Sequence, residues 1–256
     1  MLSVTPVETP GAKRRPDMAV AIVTGASKGL GLALATGLAE RGWSLVVDAR
    51  GQSALTRAQD EIRDRLSIGA QLRVVPGDVT DGAHRRDLAA AATGLGRLDL
   101  VVNNASTLGA SPLPAVADLS PEILRRALEV NTIAPVALIG ETLPLLRQSP
   151  DPRILNVTSD ASVAHYPSWG GYGSSKAALD HLSATLAEEE SAIRVWAVDP
   201  GDMRTEMHQA AFPGQDISDR PGPDTVVPSL LALITGDVPS GRITLAELAV
   251  VAEVGR

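Results

Sequence analysis

Cysteine is absent from this chain of 256 residues. That excludes disulfides, thiolate nucleophiles and cysteine metal sites, and it fits a cytoplasmic protein. Histidine is nearly as scarce. The four present, His84, His165, His181 and His208, have no zinc-like spacing, so no metal site is expected. There is no long basic run and the formal net charge is -7, which argues against a nucleic-acid partner. No apolar run is long enough to cross a membrane, so no membrane partner is expected. Aromatic residues make up only 2% of the chain, and Phe212 is the single phenylalanine.

What the chain does have is material for a core. Hydrophobic residues are 44% and charged residues 21%, a balance that suits one folded unit rather than a disordered chain. Residues 1–17, "MLSVTPVETPGAKRRPD", carry prolines and charges without the apolar stretch of a signal peptide, and are expected to form a disordered leader. Residues 18–256 are expected to form one domain. Within it, short apolar runs alternate with helical patterns. "MAVAIVTG", "SLVVDA", "QLRVVPGDV", "LDLVVNNA", "RILNVTS", "IRVWAVDPG" and part of "GRITLAELAV" read as buried strands. Between them, "GLGLALATGLAERG" reads as a helix stopped by Gly42 and "SALTRAQDEIRDRLSIG" as one ending at Gly69. Ser120 and Pro121 open a long helix, in which Pro135 and Pro144 should introduce kinks. Strands alternating with helices predict an α/β fold: a Rossmann-type, doubly wound parallel sheet of about seven strands, helices on both faces. The least regular stretch, about residues 203–224, is long enough to be a substrate lid.

Two motifs carry chemistry. "TGASKGLG", Thr24 to Gly31, joins a strand to a helix. Its glycines allow a tight turn and close approach of a pyrophosphate, and the helix N-terminus offers free N–H groups. Alone it is weak; between a strand and a helix it is stronger. "YGSSK" places Tyr172 and Lys176 four apart on one helix face. A cation beside a phenol favours the phenolate, so Lys176 is expected to lower the pKa of Tyr172 and make it a usable proton donor. Ser159, at the end of the fifth strand, can reach the same crevice. "VVDAR" ends the second strand with an acid, Asp48, and a base, Arg50. An acid there would grip a ribose hydroxyl and an arginine would accept a phosphate.

"TGASKGLG", "NNA" at Asn103 to Ala105, Asn131, "NVTS" ending at Ser159, "YGSSK" and "DPG" at Asp199 to Gly201 occur in order. This set resembles the single-domain branch of the short-chain dehydrogenase/reductase family, over about residues 20–241. The resemblance implies an oxidoreductase that interconverts an alcohol and a carbonyl on a small molecule. Tyr172 would be the general acid/base. Lys176 would lower its pKa and hold the nicotinamide ribose, and Ser159 would stabilise charge on the substrate oxygen. Asn131 would hold a water that links Lys176 to solvent. Gly25, Ser27, Lys28, Gly29, Leu30 and Gly31 would cradle the cofactor. Asp78 and Val79 would meet the adenine, and Asn104 and Ala105 would lie along the adenosine ribose. Pro200, Gly201, Met203 and Thr205 would seat the nicotinamide.

The resemblance also addresses "VVDAR". In NAD-preferring relatives the acid lies seven residues after the glycine that ends the first helix, which here is Ala49. Asp48 falls one short, so its side chain is expected to point away from the ribose. Arg50 and Lys28 fall where NADP-preferring relatives carry their two bases. NADP(H) is therefore the expected cofactor, with NAD(H) possible. A homodimer or homotetramer is implied, through the long helix and the helix of Tyr172, where Ala177, Ala178 and Ala184 suit close contact. The departures are Ser106, where the family usually has glycine, and Asp202 directly after the "DPG" glycine, expected to face solvent. Asp160, Tyr166, Trp169, Met207, His208 and Phe212 lie in segments that shape the substrate pocket in the family. His165 and His208 are read as partly exposed rather than as extra acid/base groups. Two other readings stay open: a non-catalytic NADP-binding regulator, and a dehydratase or isomerase on the same scaffold.

Overall fold

The computed structural model of the protein describes residues 19–246. The expected leader, residues 1–17, lies outside the described residues, as do residue 18 and residues 247–256 of the expected domain. Seven strands form one parallel sheet: β1 (Val20–Val23), β2 (Ser44–Ala49), β3 (Leu72–Pro76), β4 (Leu100–Asn103), β5 (Arg153–Val157), β6 (Arg194–Asp199) and β7 (Gly241–Thr244). Their order across the sheet is β3-β2-β1-β4-β5-β6-β7. The chain therefore reverses direction between β1 and β4, which opens a crevice beyond the strands' carboxyl ends.

Alternation along the strands sorts the core into two layers. Ala21, Val23, Leu45 and Val47 face one side, packed under α1 (Gly29–Glu40) and α8 (Val227–Thr235). Val20, Ile22 and Val46 face the other, under Leu88 and Ala92 of α3 (Gly82–Thr93) and Leu138 of α5 (Ala134–Leu146). The central strands β1, β2, β4 and β5 are buried on both faces, and the edge strands β3 and β7 are only half-buried. That is why the central strands read as unbroken apolar runs.

Helix limits differ from expectation in three places. α2 (Gln52–Arg63) ends six residues before Gly69, and the chain turns twice before reaching that glycine's positive φ of 90°. The long helix is three pieces: α4 (Pro121–Leu128), a π turn (Glu129–Ile133), and α5. Ser120 caps α4 by accepting from the Ile123 N–H at 3.3 Å. The break is thus the π turn rather than a kink at each proline. Pro135 sits in the first turn of α5, where a missing N–H costs nothing. α5 runs through Pro144, whose absent donor would have met the exposed Gly140. Third, the expected lid loop contains a helix of its own, α7 (Glu206–Ala211), capped by the Thr205 hydroxyl on the His208 N–H. The remaining helix among the described residues, α6 (Gly170–Glu189), carries Tyr172 and Lys176.

Candidate active site

A cleft of about 850 Å³ runs along the carboxyl ends of the strands. Its floor at one end is the glycine-rich turn. Gly25 has φ 67°, and a Cβ there would lie 2.9 Å from Ala105 Cα. A Cβ on Gly31 would lie 2.4 Å from Asn104 Nδ2, so α1 can approach the turn only with glycine at that position. No side chain caps α1, which leaves its first-turn N–H groups facing the cleft. Asn104 braces the turn: its Nδ2 donates to Thr24 O at 2.8 Å, and Thr24 Oγ1 accepts from the N–H groups of Asn104 and Ala105.

Asp48 is 1% exposed and braces the same turn from behind. Its Oδ1 accepts from the Gly25 N–H at 2.7 Å and its Oδ2 lies 2.8 Å from His84 Nε2. Burial pushes the Asp48 carboxyl up from its ordinary value, against the hydrogen bonds from His84 and Gly25. Asp48 and Arg50 both line the cleft, but Arg50 is the one whose side chain is open to it, 59% exposed, with Asp78 4.0 Å away. Burial works against ionisation of Asp78, but the Thr80 N–H and hydroxyl, with Arg50 nearby, hold its carboxyl below the usual range. Lys28 also lines the cleft and is paired with Glu206 of α7.

The opposite end of the cleft holds the hydroxyl groups. Ser159 follows β5; its Oγ donates to Asp160 Oδ1 at 2.9 Å, and Tyr166 Oη donates to the other oxygen of Asp160 at 2.7 Å. Tyr172 is 7% exposed and lines the cleft with Ser159 and Ser106, whose hydroxyls draw its phenol down against burial. Lys176 is buried; its Nζ donates to Val157 O at 2.7 Å and lies 5.7 Å from the Tyr172 ring centroid. Burial pushes the Tyr172 phenol up to about 12 and the Lys176 ammonium down to about 8. Desolvation outweighs everything else at the phenol, and the ammonium is aimed at a strand carbonyl.

Asn131 is fully buried in the π turn, and its side chain does not line the cleft. Its Nδ2 donates to Thr107 O and Ser175 Oγ, and its Oδ1 accepts from the Thr107 N–H and the Ser106 hydroxyl. Pro135, four residues on, has no N–H to return to the Asn131 carbonyl.

The description "short chain dehydrogenase" belongs to the family whose sequence profile matches residues 19–216. The chain belongs to that family. It is 32% identical to an uncharacterised oxidoreductase of Saccharomyces cerevisiae over 220 residues, 85% of this chain and 81% of that one. It is 32% identical to the sepiapterin reductase of Xenopus laevis, over 74% of this chain and 75% of that one. A short chain dehydrogenase structure from Shigella flexneri, complexed with NADP, superposes with a TM-score of 0.81 at 26% identity, over 90% of this chain and 98% of that one.

This short-chain dehydrogenase is accordingly an NAD(P)-dependent oxidoreductase acting on CH–OH or C=O groups, and its cleft fits such a cofactor. The turn that admits no Cβ, the uncapped helix N-terminus and the cations at the same end match a dinucleotide's phosphates. Of the residues implied by resemblance, Gly25, Ser27, Lys28, Gly29, Leu30, Arg50, Asp78, Val79, Asn104 and Ala105 line the cleft at this end. Ser159, Tyr172, Lys176, Pro200, Gly201 and Met203 line the rest of it, and Thr205 lines it against Gly29 of the turn, where an added Cβ would lie 3.6 Å from Thr205 Cγ2. Gly31 and Asn131 stand behind it as supports. Asp202, expected to face solvent, lies 58% exposed at the cleft's mouth, 3.8 Å from His208. His208 lines the cleft and His165 is exposed outside it.

Arg57, and His84 as the partner of Asp48, escaped sequence reasoning. Arg57 of α2 lines the cleft as a further cation; no motif marks it, since it is one arginine on a polar helix. Asp48 and His84 lie 36 residues apart, a separation that no spacing rule encodes. Among the described residues no cluster of three or more potential metal ligands occurs, and no helix is long and apolar enough to cross a membrane.

Proposed function

We propose that this dehydrogenase is an NADP-dependent enzyme that interconverts an alcohol and a carbonyl on a small molecule, with Tyr172 as general acid/base. The observation that carries the reaction is the phenol held among two hydroxyls and a buried ammonium, at the far end of a cleft floored by the glycine-rich turn. The bound nicotinamide would supply or accept the hydride. In reduction, Tyr172 Oη gives its proton to the substrate oxygen. The phenolate left behind is stabilised by the Lys176 ammonium and the neighbouring hydroxyls. Ser159 orients the same substrate oxygen once its hydroxyl turns from Asp160.

The preference for NADP rests on Asp48 and the cations. The one acid at the end of β2 lines the cleft but is 1% exposed, with both carboxylate oxygens already engaged by Gly25 and His84, which disfavours it as a ribose acceptor. Arg50, Lys28 and Arg57 border the same end of the cleft and suit a 2′-phosphate.

The test is a carbonyl panel read by cofactor oxidation with NADPH and with NADH. NADPH should be preferred, and Tyr172→Phe should lower kcat by about 10²–10⁴-fold. The pH dependence has a definite sign. Tyr172, at about 12, stays protonated through the neutral range, which is the form that reduction needs. Lys176, at about 8, loses its charge above that pH, so kcat/KM for reduction should fall there. Preference for NADH, or full turnover in Tyr172→Phe, would overturn the reading.

A further inference from the structure

Ser106 occupies the place where relatives usually carry glycine. Its hydroxyl donates to Asn131 Oδ1 at 3.0 Å, and it lines the cleft together with Tyr172, whose phenol it draws down against burial. The Asn131 amide cannot turn over, because its Nδ2 is fixed on Thr107 O and Ser175 Oγ, at 2.8 and 2.9 Å. Its Oδ1 is therefore a permanent, neutral acceptor, and it keeps the Thr107 N–H at 2.8 Å whether or not Ser106 stays. The Ser106 hydroxyl is thus a rotor with two possible acceptors, and leaving one of them orphans nothing.

Ser159 stands differently. Its hydroxyl donates to a carboxylate, Asp160, whose charge holds it more firmly than an amide oxygen would. Of the two hydroxyls on Tyr172, Ser106 has the weaker competing acceptor. We propose that Ser106 is a catalytic residue of this dehydrogenase, its hydroxyl turning from Asn131 to Tyr172 Oη as the phenolate forms. The inference rests on the role given to Tyr172 above. In the reductive step the Tyr172 Oη–H bond breaks and an O–H bond forms on the substrate oxygen. Ser106 keeps its own proton throughout and only redirects it. The Lys176 ammonium, with one of its donors on Val157 O, offers the ionised phenol charge, and Ser106 adds a hydroxyl donor to it.

The chain has only two tyrosines, so the phenol can be followed directly. Uniform replacement by 3-fluorotyrosine, a more acidic phenol, gives two fluorine NMR signals in the full-length protein, and Tyr172→Phe assigns them. Ser106→Ala should move the Tyr172 midpoint up by roughly one pH unit, the worth of one hydrogen bond to a charged group. It should also lower kcat for carbonyl reduction by roughly tenfold while KM changes less than about twofold. Ser106→Thr, which keeps the hydroxyl, should recover both, and Ser106→Gly serves if the alanine variant fails to fold. An unmoved midpoint overturns the contact with the phenolate. A moved midpoint with unchanged kcat overturns the catalytic role. Full turnover in Tyr172→Phe would remove the reading of the reaction itself, a failure visible without any Ser106 variant.

Discussion

Asp48 holds the glycine-rich turn in place from a buried position at the end of β2. Its register was legible: side chains alternate along β2, so an acid one place short of the ribose position faces the layer under α3. Its partner was not legible, because His84 arrives from another helix. The local consequences reach further, since a Cβ on Gly77 would lie 2.3 Å from His84 Nδ1, leaving only glycine at that turn. Asp48→Ala would orphan the Gly25 N–H and His84 Nε2 in a dry site. Each unsatisfied buried group costs on the order of 1–3 kcal/mol, so the urea midpoint should drop by the equivalent of roughly 2–4 kcal/mol with little change in slope. Asp48→Asn retains an acceptor for Gly25 and should lose less. Both variants should weaken NADPH and NADH alike, as the turn they support holds features common to the two. A ribose contact by Asp48 would give the opposite pattern: intact stability and a changed ratio between the cofactors.

Among elements, the sheet and most helices could be read from the sequence, because buried parallel strands are short apolar runs and helices carry their own periodicity. α7 could not. Six residues cannot stand as a helix alone, and its sequence sits among Gly and Pro. It forms because other parts of the fold hold it. Lys28 pairs with Glu206, the Ser111 hydroxyl donates to Ala210 O at 2.6 Å, and the His208 ring stacks tilted on Phe212 with centroids 5.0 Å apart. Phe212 in turn meets Trp169 at 5.8 Å, and Trp169 meets Tyr172 edge-on at 5.7 Å. One indole thus joins α7 to the Tyr172 ring. Trp169→Ala should loosen α7 without unfolding the sheet. We expect KM for carbonyl substrates to rise about tenfold, more than kcat falls, as an aromatic contact worth about 0.5–1.5 kcal/mol is lost with its buried area. Limited proteolysis within residues 206–216 should quicken in step. Equal effects on kcat and KM, with unchanged proteolysis, would show that α7 is held by its other contacts.

At the scale of the whole molecule, the outer face of the site's scaffold is apolar. Ile133 and Val136 are 49% and 41% exposed, and Leu182 of α6 is 40% exposed. With Ala137 and Gly140, the first two fall at helical spacing along the start of α5, and a Cβ on Gly140 would meet nothing within 4 Å. On α6, Ala177 and Ala178 are half-buried and Ala184 is exposed. A monomer has no reason to keep such a stripe in water. We propose that it is covered by a second copy, giving a homodimer or homotetramer through α5 and α6. The same helix α6 carries Tyr172 and Lys176 on its inner side, so burying its outer side would stiffen the site from behind. Light scattering should return a multiple of the chain mass, and the double variant Ile133→Glu, Val136→Lys should return one chain. If association steadies α6, melting of the parent protein should rise with concentration while that of the variant does not, and the variant's kcat should fall although no site residue has changed. A parent protein that scatters as a single chain would leave the stripe without this partner.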